Sequence, residues 1–467
     1  MIMSDRIETP AVILEDLLSI AGAAPADGAV RFHGEDPVLP TAYRIGEFAA
    51  AAIGATALQA ARIHERGTGV TQDIDVHVDA AAVATRSSRE LRADPPLPVP
   101  ELRTVGWYRT KDDRWLFTQR LFPHHFRRQL EVLGCEPTEE SITAAVARHD
   151  AQWLEDRMVA NGASAALVRT REEWDAHPQS AALATIPLLE VKKIGSSDPM
   201  PLPAGERPLA GLRVLDLTRV LAGPTSGRTL AEYGADVLRI SSPRYPDDYR
   251  MMIDTGHGKR STVLDLVSSG GRAAIKELLA TADVFTQGYR PGAIANFGLW
   301  PGELAGLRPG IICTSISAFG RVGPWSRRRG FDSIVQAASG IMIENAVSEM
   351  PRALPSNPLD YITGYLAAFG TLVALERRSK EGGSYTVEVS LGQTGHYLDN
   401  RLTRTGLEVA ATRPAEPAED LLDRLSIHRD TEFGALRYLA PVAQLSMTPT
   451  EWVLPTVPAD HDAPVWA

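Results

Sequence analysis

RVLDLTRVLAGPTSGRTLAEYGADVLRI (213–240) is the stretch whose reading decides the fold. RVLDLT (213–218) and ADVLRI (235–240) are short apolar runs of strand length, and the segment between them reads as a helix. Strands joined through helices pair in parallel. The alternation continues through STVLDL (261–266), ADVFTQ (282–287) and GIICTSI (310–316), so the predicted class is α/β, a Rossmann-like parallel sheet. At the end of the first strand, Gly223-Pro224 can turn the chain into a helix and expose backbone N–H groups to an anion. GxGxxG is missing there, so a dinucleotide dehydrogenase is poorly supported.

Downstream, Leu359, Ile362, Leu366, Phe369 and Val373 recur at helical spacing between Asn357 and Arg378, and YTVEVSL (385–391) alternates like a strand. A second pair of this kind stands near the N-terminus, where IGEFAAAAIGATALQAARIHERG (45–67) leads to QDIDVHV (72–78). Val389 lies 313 positions after Val76, and Asp360 lies 313 after Glu47, which indicates an internal repeat. The Pro-rich stretches ADPPLPVPELR (93–103) and DPMPLPAGERPLAG (198–211) read as linkers. Between them, WYRTKDDRWLFTQ and HHFRRQLEVLG begin a second, smaller α/β domain. The expected division is 1–105, completing the large domain; 106–205, small domain and linker; 206–400, Rossmann-like domain; and 401–467, tail.

With 467 residues the chain exceeds the roughly 250–300 at which one core stops growing. Its 44% hydrophobic and 23% charged content are those of a globular protein. A formal net charge of −10 argues against a nucleic-acid partner, which requires extended basic surface. A phosphate site must then be local; Lys259-Arg260 and Arg327-Arg328-Arg329 are candidates, with Arg290 near neither, and solvated surface is the equal alternative for each. The start, MIMSDRIETP, lacks a secretory pattern and no apolar run reaches the roughly 18 residues of a membrane span, so a cytoplasmic location with no membrane partner is expected. Cys135 and Cys313 are far apart, and neither they nor His124-His125 and His257 have metal-ligand spacing, so no metal is expected.

VLDLTRVLAGP (214–224), LAEYGADVLRI (230–240), GKRSTVLDL (258–266), YRPGAIANFGL (289–299), CTSISAFGRVGPW (313–325) and GFDSIVQAASG (330–340) resemble, in this order, the N-terminal half of family III CoA-transferases, the CaiB/BaiF group. LDYITGYLAAFGTLVALERR follows where that family places its aspartate-bearing helix. Residues 41–80 resemble the same helix and its strand, and 106–190 resemble the family's small C-terminal domain, so the segment order looks permuted. The resemblance implies an acyl-CoA:carboxylate CoA-transferase with Asp360 as its acyl-accepting carboxylate. CoA contacts would come from Val220, Leu221, Ala222, Gly288, Tyr289 and Arg329. It further implies acyl-CoA and a carboxylic acid as partners, no tightly bound cofactor, and an interlocked homodimer.

CoA transfer between carboxylates needs a nucleophilic carboxylate, since attack on a thioester forms a mixed anhydride and frees the thiolate. Asp360 follows Asn357-Pro358 and falls in a first helical turn, where the dipole favours its charged form. On spacing alone, a capping role for Asp360 is the stronger reading; the resemblance reverses that order. Arg329 suits phosphate through its fork of donors and Tyr289 suits adenine stacking, although each reads equally as a surface residue. The family commonly has Asn where this chain has Gly288, and the glycine-rich loop that covers the aspartate in some members has no counterpart. Glu47 keeps a carboxylate at the repeated position but reads more readily as a capping or solvated residue. An acyl-CoA racemase is the first alternative, disfavoured because Phe331 stands where family racemases carry histidine. A non-catalytic acyl-CoA-binding subunit is the second.

Overall fold

The computed structural model describes residues 6–98, 104–245 and 247–467. Its centre is a seven-stranded sheet: β1 (Leu189–Gly195), β2 (Arg213–Leu217), β3 (Asp236–Ser241), β4 (Lys259–Val263), β5 (Val284–Gln287), β6 (Ile312–Ser317) and β7 (Ser384–Ser390), in spatial order β4-β3-β2-β5-β6-β7-β1. β2 to β7 run parallel, and β1 closes one edge antiparallel to β7. The order reverses between β2 and β5, which pair through Val214↔Val284 and Phe285↔Leu215. In a doubly wound sheet such a reversal opens a crevice at the carboxyl ends of the strands.

Two long helices pack below this sheet. α1 (Ile45–Thr68) and α5 (Pro358–Glu381) each contain 24 residues and lie 313 positions apart at both ends. They end at Gly69 and Gly382, both at positive φ. The helix of the expected helix–strand repeat therefore recurs in the fold. α5 is buried through most of its circumference because it lies between the sheet, α1 and α3 (Ala222–Glu232). It is long and apolar enough to cross a membrane, yet its apolar span is wholly enclosed, as expected for a core helix. Gly364 permits the crossing with α3, since a Cβ there would stand 2.4 Å from the Ala222 carbonyl oxygen. Thr56 of α1 donates to the Tyr365 carbonyl at 3.2 Å across the other face.

The strand following α1 departs from its counterpart. Ile74–His77 does not join the large sheet; it pairs with Val30–His33 and Gln444–Leu445 in a three-stranded sheet of its own. The smaller unit holds the antiparallel strands Val105–Arg109, Trp115–Gln119 and Ala165–Leu167, covered by the helices Glu139–Val146 and Ala151–Ala160, on which α2 (Pro123–Leu133) packs. Tyr108, Leu116, Leu154 and Met158 form its core. The expected boundary at 205 differs from the strand pairing, because β1 has already crossed to the large sheet.

The last 67 residues are likewise integrated. The Ser426–Thr431 and Gly434–Leu439 hairpin pairs with Arg92–Asp94, which leads into the first Pro-rich stretch, of which 99–103 lie outside the described residues. The chain end runs along edge strand β4. There the Ser261 N–H donates to the Asp462 carboxylate at 2.9 Å, the Asp462 N–H returns to the Ser261 carbonyl at 2.8 Å, and the Trp466 indole donates to the Leu278 carbonyl at 3.1 Å. An otherwise open strand edge is thereby covered.

Candidate active site

A cleft of about 450 Å³ opens at the carboxyl ends of β2, β5 and β6, where the strand order reverses. Val220, Ala222, Gly288, Tyr289, Arg329 and Asp360 all line it, although they come from four separate stretches of sequence. Leu221 does not line it: the side chain is 1% exposed and packs in the core, because alternate residues of the turn face opposite ways. Val220 has φ 71°, a strained value for a β-branched residue, and it lies where the chain turns from β2 into α3. The turn is tight enough that a Cβ on Gly223 would stand 2.3 Å from Thr218 Cβ.

Asp360 sits in the first turn of α5 and is 6% exposed. Its backbone N–H donates at 2.9 Å to Asp332 Oδ2, at the start of α4 (Asp332–Ala338). Asp332 thus caps α5 from another helix, using an N–H that the helix itself leaves unpaired. Gln336 orients Asp332 through its amide and accepts from the Leu354 N–H at 2.8 Å. Burial, with the Asp332 carboxylate beside it, raises the Asp360 pKa well above the usual carboxylate value. Burial raises Asp332 to about 6, against the hydrogen bonds it accepts. Desolvation and a like charge therefore oppose the dipole effect that the position of Asp360 in the sequence suggests.

The opposite wall comes from the small unit, through Phe122, His124, His125 and Arg128 at the start of α2. Arg128 and Arg290 converge with Arg329, which burial and those two neighbours lower to about 10. No carboxylate among the described residues pairs with any of the three; Arg128 donates to the Gly162 carbonyl and Arg290 to the Arg327 carbonyl, each at 3.2 Å. Such a group is suited to an anion with several charges.

The family model for CoA-transferase family III matches residues 21–200 and 209–420. The chain belongs to CoA-transferase family III. It is 38% identical over 201 residues to the acetyl-coenzyme A transferase nodX of Hypoxylon pulicicidum, covering 41% of this chain and 34% of that protein. It is 33% identical over 215 residues to the succinyl-CoA–L-malate CoA-transferase alpha subunit of Chloroflexus aurantiacus, covering 42% and 50%. Among solved structures, a CaiB/BaiF family protein from Brucella suis is 28% identical and covers 43% of this chain and 60% of that one, with a TM-score of 0.38. The chain spans about a third to a half of the length of the two curated relatives.

Within this family III chain the basic clusters separate by environment. Lys259 is 1% exposed, and its ammonium bonds the Asp216 carboxylate at 2.8 Å and the Pro224 carbonyl at 2.7 Å. Arg260 pairs with Asp236 at 3.0 Å, so Lys259-Arg260 is structural and cannot hold a phosphate. Arg328 is also committed: it reaches Glu155 of the small unit at 2.8 Å and lies over the Trp325 ring at 3.9 Å. Against the cost of burial, Arg169 and Arg328 hold Glu155 at about 2. This ion group joins the two walls of the cleft.

The repeated position Glu47 does not line the cleft. It is 2% exposed and paired to Arg44 at 2.7 Å, and its N–H donates to Asp36 Oδ2 at 2.8 Å. Asp36 thus repeats the Asp332 arrangement, with Glu47, at the position that matches Asp360, ion-paired to Arg44. Neither Asp332 nor the small-unit wall was assigned from sequence; the FD of GFDSIVQ and the His-His pair at a helix start were their only signals. His257 is fully buried and stacks on Tyr438 with centroids 3.7 Å apart, a core role. A neighbouring cavity of about 490 Å³ shares Tyr289, Arg290, Pro291, Ile316 and Ser317 with the cleft.

Proposed function

We propose that this chain transfers CoA from an acyl-CoA to a carboxylic acid through covalent intermediates on Asp360. The observation that carries this reading is one cleft holding both the Asp360 carboxyl and the Arg128, Arg290 and Arg329 group. A CoA thioester has one end suited to each: a carbonyl for the carboxylate and phosphates for the arginines. The activities for which the relatives are named, transfer from succinyl-CoA to L-malate among them, support the class.

An Asp360 oxygen attacks the thioester carbonyl, the C–S bond breaks, and CoA leaves as thiolate, giving a mixed anhydride. The thiolate attacks the aspartyl carbonyl and releases the first acid, leaving an aspartyl-CoA thioester. The acceptor carboxylate then attacks that thioester, and the returning thiolate takes the new acyl group and frees Asp360. CoA is substrate throughout. The phosphates keep the thiolate beside the intermediate, which turns its return into an intramolecular step. Because burial disfavours the ionised nucleophile, activity should rise with pH until Asp360 is deprotonated.

Purified protein incubated with labelled acyl-CoA and a set of small carboxylic acids tests the proposal. Label appearing on a new CoA ester supports it. Isomerisation of the donor without exchange would favour the racemase alternative, and binding without either would favour a non-catalytic role.

A further inference from the structure

His125 has a placement that the transferase mechanism above does not use. Its side chain is 6% exposed and lines the same cleft as Asp360. The ring lies against Phe331 with centroids 5.9 Å apart, and Phe331 immediately precedes Asp332, whose carboxylate holds the Asp360 backbone. Phe122 meets the ring edge to face at 5.7 Å and also lies 6.1 Å from Phe331, so the imidazole packs against a pair of touching aromatic rings. The enclosed nitrogen, Nδ1, has no hydrogen-bond partner.

That orphaned nitrogen favours one tautomer. A buried N–H without an acceptor is rarer in native structures than an under-satisfied acceptor, so the proton belongs on Nε2 and the bare lone pair on Nδ1. Burial, then His124, Arg329, Arg128 and Arg219, push the His125 pKa down to about 3, so the ring is a neutral donor. A neutral imidazole N–H in the same cleft as a nucleophile can stabilise developing negative charge without surrendering its proton.

Resting on the Asp360 transferase reading, we propose that His125 is a further catalytic residue, whose Nε2–H donates a hydrogen bond to the thioester carbonyl oxygen as Asp360 attacks. In that step the Asp360 oxygen bonds to the carbonyl carbon and the C=O π pair moves onto oxygen, where it accepts from Nε2–H. Collapse restores C=O and expels CoA thiolate; no proton leaves His125. The small unit thereby supplies the electrophilic half of the site and the large sheet the nucleophilic half.

The test compares H125F, which keeps an aromatic ring against Phe122 and Phe331 but removes the donor, with H125Q, which restores an N–H donor. Exchange kinetics on the full chain with acyl-CoA and an acceptor acid should show kcat reduced by about 100-fold in H125F, the cost of one such donor, with KM and CoA affinity little changed. H125Q should recover a substantial part of that loss. Circular dichroism melts establish that both variants fold. D360N, run in parallel, separates the two claims: its continued exchange would sink the transferase mechanism, whereas abolished exchange with wild-type kcat in H125F would overturn the His125 role alone. A loss in H125F confined to KM, or a failure of H125Q to recover any kcat, would also overturn it.

Discussion

Replacing Arg329 with alanine should weaken CoA binding about tenfold while leaving the protein folded. Arg329 is half-buried in the cleft and, unlike its neighbour Arg328, makes no ion pair within the described residues, so its removal strands no internal carboxylate. A hydrogen bond to a charged group contributes about 1.5–3 kcal/mol, equivalent to roughly 10- to 150-fold in Kd. The lower end is expected, because Arg128 and Arg290 remain and the loss of Arg329 relieves their mutual repulsion. Calorimetric titration with CoA at low and high salt measures it, and R329A should show the shallower salt dependence. R327A is the control, since the Arg327 side chain is exposed and does not line the cleft. Unchanged affinity in R329A at both salt concentrations would refute the phosphate assignment.

Lys259→Met should cost about 3–5 kcal/mol in urea unfolding, because it leaves Asp216 buried without its cation; a loss below about 1 kcal/mol would contradict the structural role of that pair. Asp332→Asn keeps an acceptor for the Asp360 N–H but removes the like charge that helps raise Asp360. The acid limb of the kcat/KM profile should therefore move to lower pH, and a limb that stays in place would argue against the coupling. Asp332 also titrates higher folded than unfolded, so it contributes most stability below about pH 4 and loses that contribution as pH rises through about 6. Thermal melts of D332N should show a weaker decline over this window than the wild type.

The parallel sheet was legible because its strands are buried on both faces and appear as short apolar runs between helices. The α1/α5 repeat was legible for a similar reason: helix length and register survive in residue spacing. Less visible was which partner a strand would choose. β1 and Ile74–His77 both alternate like half-buried strands, yet one extends the large sheet and the other leaves it, a choice made by contacts distant in sequence. The site divided likewise. Asp360 and the β2 and β5 turn positions sit inside motifs, whereas Asp332 acquires significance only through its bond to the first turn of α5, and His125 and Arg128 only when the small unit folds against the large sheet. The Arg-rich run 327–329 held three different fates that charge alone does not distinguish: solvent, a buried pair with Glu155 and the cleft.

The most direct test of the account is to trap the intermediate on Asp360. Hydroxylamine added during turnover with acyl-CoA should convert the activated carboxyl to a hydroxamate, located by peptide mass spectrometry at Asp360 in the Pro358–Glu381 helix. In Asp360→Asn, which keeps size and hydrogen bonding, the modification and CoA exchange should both vanish while CoA still binds. Modification at Glu47 instead, or normal exchange by Asp360→Asn, would contradict the central claim.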